Sequence, residues 1–447
     1  MTPLYDALRA FAAQNPLRMH MPGHKGISLP LSELSGYAAL DFTELSPTGD
    51  LFAGDGPIRA AEDLWADCFH MSHGLFLTGG STQGVLAALT LACPVGSSVL
   101  LDRNSHRSAY HGMALLDLHP VYLHTPYQGD LSGPIDPVQV DQTLRDHPEI
   151  QTVFLTSPTY YGILSDLPAL AQVVHRHGGL LVVDAAHGAH LPFLGNWDHT
   201  AADLIVFSAH KTLPAPGQSA LLLSGTAFSH RQLRRAAALY GSSSPSYPMM
   251  AALDCCRDWM EREGIAAYRE TAQQVGQLRS ACPALTGAPL DPCRLVILGD
   301  GFALRDGLEQ RGVFPELADR GHVVFICTCA DRPEHFARLR NTLRTLSPWT
   351  QPQPVGPPPV PEIVLSPRQA QFSAVQDIPL SQAVGQIAAC QIAPYPPGVP
   401  VIAPGERITK KTIAYLSQIG YNMETEIQAV SLSVYRHSRF SEEGYFR

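Results

Sequence analysis

From about residue 58 to residue 240 the chain alternates short apolar runs with amphipathic stretches. Residues 58–71 place Ile58, Ala61, Leu64, Trp65, Cys68 and Phe69 at helical spacing after a Gly56-Pro57 turn, which predicts a helix. Gly74-Leu-Phe-Leu77 reads as a strand, residues 81–93 as a helix stopped by Pro94, 97–101 as a strand and 105–116 as a helix. Further strands are expected near 119–123, 151–156, 179–183, 203–207 and 219–223, with helices over 136–146 and 166–177. The strand runs are continuously apolar, so both their faces are expected to be buried. Strands of that kind separated by helices predict an α/β fold: a mostly parallel sheet with helices on both faces.

The pattern changes beyond residue 285. Leu295-Val-Ile-Leu298 and His322-Val-Val-Phe-Ile326 read as strands and residues 332–346 as a helix, a smaller α/β part. Seven prolines between residues 347 and 361 predict a linker or extended strap. A final α+β part carries expected helices near 380–391 and 409–418. The expected division is a 1–57 N-terminal segment, a 58–245 large domain, a 246–346 helical connection and small domain, a 347–361 linker and a 362–447 C-terminal domain. The stretch 241–248, rich in serine and proline, carries no motif.

Composition narrows the class. With 447 residues, 45% apolar and 16% charged, the chain has material for more than one core. A net charge of −9 argues against nucleic acid as a partner. The nine cysteines show no metal-ligand spacing; Cys255-Cys256 and Cys327-x-Cys329 sit in apolar runs and read as small core residues, so no metal is expected. Free thiols fit a reducing, cytoplasmic compartment. The first residues lack the basic and apolar regions of a secretory signal, and no apolar run is long enough to cross a bilayer, so no membrane partner is expected.

Candidate chemistry sits at the ends of the expected strands. One apolar run ends at Asp184, followed by Ala185, Ala186 and His187; another ends at Ser208, followed by His210 and Lys211. A lysine directly after an apolar strand is out of place unless its amine is used. An amine and a carboxylate so placed suit pyridoxal 5'-phosphate: the amine bonds the cofactor's aldehyde, and the carboxylate keeps the ring nitrogen protonated. In Leu77-Thr-Gly-Gly-Ser-Thr-Gln-Gly84 a strand turns into a helix whose first amides, with Gly80, Ser81 and Thr82, suit an anion. His106 follows the next strand, where a flat ring can stack on an aromatic cofactor. Ser157 ends a further strand, where its hydroxyl fits either a cofactor contact or an ordinary Ser-Pro turn. Strand C-termini are where open α/β sheets bind ligands.

Taken together, these stretches resemble the fold-type I pyridoxal phosphate enzymes, and more narrowly the bacterial ornithine/lysine/arginine decarboxylase family in its short form. The resemblance rests on Met21-Pro-Gly-His-Lys-Gly26, Gly79-Gly-Ser-Thr82, Asp102-Arg-Asn-Ser-His106, Ser157-Pro-Thr-Tyr-Tyr-Gly162, Asp184-Ala-Ala-His187, Ser208-Ala-His-Lys211, Pro394-Tyr-Pro-Pro-Gly398 and Pro404-Gly-Glu406. It implies that Lys211 carries the cofactor, Asp184 pairs with its ring nitrogen and His106 stacks on the ring. Gly80, Ser81, Thr82, Ser208 and His210 would surround the phosphate, with Ser157, Ala186 and His187 lining the cofactor. Glu406, Tyr395 and His24 would meet a small-molecule amino-acid substrate, in part across a homodimer interface. The implied reaction is decarboxylation of arginine, lysine or ornithine, feeding polyamine synthesis. The large family members carry Trp where this chain has His187, so the contact there is open. An aminotransferase or carbon–sulfur lyase on the same fold remains an alternative; an aminotransferase would use an arginine for the substrate carboxylate, and Arg294 and Arg407 are present.

Overall fold

The computed structural model describes residues 1–27, 32–195, 197–287, 289–346, 350, 352–394 and 398–431. Seven strands form the main sheet: β1 (His73–Leu77), β2 (Ser98–Asp102), β3 (His119–Leu123), β4 (Thr152–Thr156), β5 (Leu180–Asp184), β6 (Leu204–Phe207) and β7 (Ala220–Ser224). Their spatial order is β1-β7-β6-β5-β4-β2-β3. Neighbours are parallel except at β7, which runs antiparallel to β1 and β6. Side-chain alternation sorts the strands into two cores. Leu75, Leu77, Phe154, Val182, Val206 and Leu222 enter one; Phe76, Val153, Leu155, Val183, Ile205 and Leu221 enter the other. Helices cover both faces, which is why the strands read as unbroken apolar runs. Each fully buried Leu, Val or Phe contributes about 1.5–3 kcal/mol.

Two details position the site. The helix Gly80–Ala92 lies close on the sheet: a Cβ at Gly84 would meet Leu77 Cδ1 at 2.6 Å and Val206 Cγ1 at 2.7 Å. Only glycine permits that approach, and it brings the helix N-terminus to the sheet edge. On the outer strand β1, the Phe76 N–H would otherwise be a loose donor. Glu62 from helix Gly56–Cys68 accepts it at 2.9 Å, and its other oxygen pairs with buried Arg234.

Beyond the sheet, helices Tyr247–Trp259 and Ile265–Ala281 lead to a small antiparallel sheet of Arg294–Leu298, His322–Ile326 and Leu317–Ala318. Helices Gly301–Glu309 and Pro333–Leu346 pack around it, with Leu295, Ile297, Leu308, Val323 and Leu343 in its core. The described part of the proline-rich stretch is an extended strap: Asp130 accepts the N–H groups of Val355 and Gly356. The C-terminal part pairs Val375–Pro379 with Glu426–Val430 and carries helix Lys410–Gln418. The helix expected over 380–391 does not form. Only a single 3-10 turn, Leu380–Gln382, is present; Gly385 at φ +87° breaks the run, and Ile387, Ala388 and Ile392 make isolated bridges to Arg407, Ala429 and Ile402. Among the described residues no helix is long and apolar enough to cross a membrane.

Candidate active site

Strands β1, β2, β4, β5 and β6 all point their C-terminal ends at one edge of the sheet, and the candidate residues follow them directly. Asp184 is the last residue of β5 and is 3% exposed. Among the described residues its carboxylate accepts one hydrogen bond, from the Ala186 N–H at 3.1 Å. Burial pushes its carboxyl up, while Lys211 and that N–H pull it back. A carboxylate this enclosed and this sparsely bonded needs a cationic partner.

Lys211 lies in the short helix Ala209–Thr212 that follows β6. Burial pulls its ammonium down from the ordinary lysine value, with Asp184 acting in the opposite direction and Arg294 reinforcing the drop. Its Nζ lies 3.2 Å from His187 Nε2. His106 caps helix Arg107–Leu116, its Nδ1 accepting the Ser108 N–H at 3.3 Å and lying 2.9 Å from Ser108 Oγ. Burial, with Lys211 nearby, brings its imidazole down to about 4, so at neutral pH it is an uncharged flat ring. At the start of helix Gly80–Ala92, Gly80 takes φ +72°, and Ser208 Oγ donates to Ser81 Oγ at 2.7 Å. Gly79 and Thr82 are exposed and Gly80 and Ser81 half-buried, so this N-terminus is open to an anion. His210 Nδ1 lies 2.9 Å from the Ser219 carbonyl, which only accepts; that nitrogen therefore carries the proton.

The residues present fit pyridoxal phosphate. The under-bonded Asp184 suits a protonated ring nitrogen, the open helix start with its two serine hydroxyls suits a phosphate, and a lysine with a lowered pKa lies within the same cluster.

Not every expected residue joins this cluster. Ser157 is fully buried, and its Oγ accepts the Ser165 N–H at 3.1 Å while its own N–H bonds the Asp184 carbonyl. Glu406 does not present a free carboxylate. Its Oε2 takes Arg103 Nη2 at 2.8 Å and the Ala403 N–H at 2.6 Å, both enclosed, which ties the C-terminal part to the turn that carries His106. His24 bonds to Asp41 at 3.1 Å and to the Gly26 N–H. Tyr395 lies outside the described residues.

Arg294 is the residue whose place the sequence did not give. It opens an apolar strand, is 1% exposed, and reaches His187 Nδ1 with Nη2 at 3.3 Å. Its only sequence signal was a charge at the head of Leu295-Val-Ile-Leu298. Tyr160, whose hydroxyl bonds Glu316, lies over His187 with ring centroids 4.6 Å apart.

Comparison with known proteins agrees with this geometry. Residues 2–297 match the Orn/Lys/Arg decarboxylase major domain and residues 357–425 its C-terminal domain. The chain is 30% identical to the uncharacterized protein YaaO of Bacillus subtilis, over 96% of each chain. It is 28% identical to the arginine decarboxylase of the same organism, over 93% of each. The fold is similar to the lysine decarboxylase LdcF of Francisella novicida, with a TM-score of 0.83 at 19% identity, covering 96% of this chain and 81% of that one. A lysine decarboxylase of Pseudomonas aeruginosa gives a TM-score of 0.84 at 18% identity, covering 96% of this chain and 80% of that one. The chain belongs to the Orn/Lys/Arg decarboxylase family, amino-acid decarboxylases whose cofactor is pyridoxal phosphate.

Proposed function

We propose that this enzyme removes the α-carboxylate of arginine, lysine or ornithine as carbon dioxide and releases the corresponding amine for polyamine synthesis. The observation that carries the reading is Lys211 beside the buried, sparsely bonded Asp184, at the same sheet edge as the open start of helix Gly80–Ala92.

When bound, pyridoxal phosphate supplies an electron sink for the pair left as carbon dioxide departs. Lys211 holds the cofactor through Nζ. Lys211 Nζ or a nearby histidine would hand a proton to the substrate α-carbon. Asp184 keeps the ring nitrogen charged. His106, neutral by burial, offers a flat face to the ring without competing for its electrons. Gly80, Ser81, Thr82, Ser208 and His210 hold the phosphate through amides and side chains, and Ala186 and His187 line the cofactor. Glu406 positions the His106 turn through Arg103. By the family resemblance, His24 meets the substrate at the site entrance and Tyr395 does so in part across a homodimer interface.

An aminotransferase needs a free arginine for the substrate carboxylate, whereas a decarboxylase must leave that group unpaired. Arg294 is enclosed against His187, and Arg407 bonds Glu362 and the Gly385 carbonyl. The second observation favours the decarboxylase; Arg294 Nε and Nη1 have no hydrogen-bond partner among the described residues. The reading places the cofactor in a 58–245 large domain, followed by a 246–346 helical connection and small domain, a 347–361 linker and a 362–447 C-terminal domain. The nine cysteines, all free, support a cytoplasmic setting.

The test is to supply the cofactor-loaded enzyme with arginine, lysine and ornithine and to measure carbon dioxide and amine, with Lys211→Ala as control. One matched amine, absent from the control, supports the proposal. A keto acid in place of carbon dioxide refutes it.

A further inference from the structure

A buried polar chain runs from Lys211 into the small domain. Lys211 Nζ lies 3.2 Å from His187 Nε2, and His187 Nδ1 lies 3.3 Å from Arg294 Nη2. Arg294 Nε is 3.9 Å from Asp291 Oδ2, and Asp291 Oδ1 is 2.9 Å from His190 Nε2. His187 is 7% exposed, and Arg294, Asp291 and His190 are 1% exposed.

Donor and acceptor roles along this chain are forced. Arginine carries only donors and does not deprotonate in proteins, so Nη2 donates and His187 Nδ1 accepts. An imidazole that accepts at Nδ1 carries its single proton on Nε2. That N–H faces Lys211 Nζ, and it finds an acceptor there only if the amine has a free lone pair. Were Lys211 an ammonium, two N–H groups would point at each other across 3.2 Å.

We propose that Arg294 is a positioning residue: it locks His187 in the Nε2–H tautomer, and His187 thereby holds Lys211 as a neutral, nucleophilic amine ready to bond the cofactor. The surroundings keep both partners fixed. Gly162, at φ +83°, brings its backbone so close to Arg294 that a Cβ there would meet Arg294 Cβ at 2.6 Å, and the Tyr160 ring covers His187. The charged and titratable groups facing Lys211 are Asp184, Glu316, Arg294, His187 and His106; those facing His187 are Lys211, Arg294, His106 and His190. Burial above all, with the Arg294 guanidinium adding to it, pulls His187 below the ordinary histidine value, which agrees with a neutral ring. The proposal takes Lys211 as the cofactor lysine from the reading above, but the labelling that tests it does not use the reaction.

The chain contains four lysines, Lys25, Lys211, Lys410 and Lys411, so the other three serve as internal references. Cofactor-free protein is labelled with acetic anhydride across a pH series and each lysine peptide is quantified by mass spectrometry. Lys211 is expected to react at lower pH than the references. In Arg294→Met and in His187→Phe its profile moves up toward theirs, while Arg294→Lys, which keeps a cationic donor, stays near the original. Circular dichroism confirms that each variant is folded. A Lys211 that titrates with the references in the unaltered protein, where no variant is needed, overturns the proposal. So does an unchanged profile in folded Arg294→Met. A rise in KM in Arg294→Met without any change in labelling would assign Arg294 to the substrate carboxylate instead.

Discussion

Replacing Asp184 with asparagine should act on function and stability in opposite directions. Asparagine keeps the shape and, through Oδ1, the 3.1 Å bond from the Ala186 N–H, but it loses the charge. Function suffers first. A carboxylate about 4 Å from a cationic ring nitrogen, at an effective dielectric of about 20, is worth about 4 kcal/mol, or roughly a thousandfold in rate. The cofactor-free protein responds the other way. There the carboxylate is buried with one N–H bond, and its folded-state pKa is raised. Below the unfolded pKa both states are protonated and the group costs nothing. As the pH rises past that value, the unfolded chain ionises freely and the folded one does so only at a cost, which grows until the folded pKa is passed. The asparagine variant escapes this cost. Its cofactor-free form should be more stable by about 1–3 kcal/mol at neutral pH, with the advantage vanishing in acid. The assay is kcat/KM of the loaded enzyme together with thermal melts of the cofactor-free protein at two pH values. A variant within tenfold of the original rate, or one that melts lower without cofactor, would refute the assignment of Asp184.

Arg234→Met strands Glu62, which is fully buried and also holds the β1 edge through Phe76, so a loss of about 3–5 kcal/mol is expected in chemical denaturation; adding Glu62→Gln should recover much of it. Ser81→Ala and Ser208→Ala each remove a hydroxyl from the proposed phosphate site. Each should weaken cofactor binding by about 1.5–3 kcal/mol in an absorbance titration, with little change in the melt of the cofactor-free protein.

The sheet was legible because both its faces are covered, so a strand such as Leu180–Asp184 is apolar at every position before its terminal carboxylate. The direction of β7 was not legible, since an antiparallel strand inside such a sheet reads like its parallel neighbours. The 380–391 stretch misled because Ile387, Ala388 and Ile392 find their partners far along the chain, not one helical turn away. Residues 241–248 look featureless, yet Ser246 caps helix Tyr247–Trp259 and Tyr247 anchors to the Gly49 carbonyl at 2.5 Å. Lys211, Asp184, His106 and Ser81, which the sequence singled out by their place at or just beyond strand ends, lie at one edge of the sheet. What escaped were pairings set by tertiary contact. Glu406 looked like a substrate carboxylate, but Arg103 claims it, and nothing local to Arg294 announces that it meets His187.

The account stands most directly on Lys211 as the residue that bonds the cofactor. Borohydride reduction of the loaded enzyme, followed by digestion and mass spectrometry, fixes the cofactor to whichever lysine holds it. The pyridoxyl mark is predicted on the Lys211 peptide alone and should be lost in Lys211→Ala. A mark on Lys25, Lys410 or Lys411 in place of Lys211 would contradict the account.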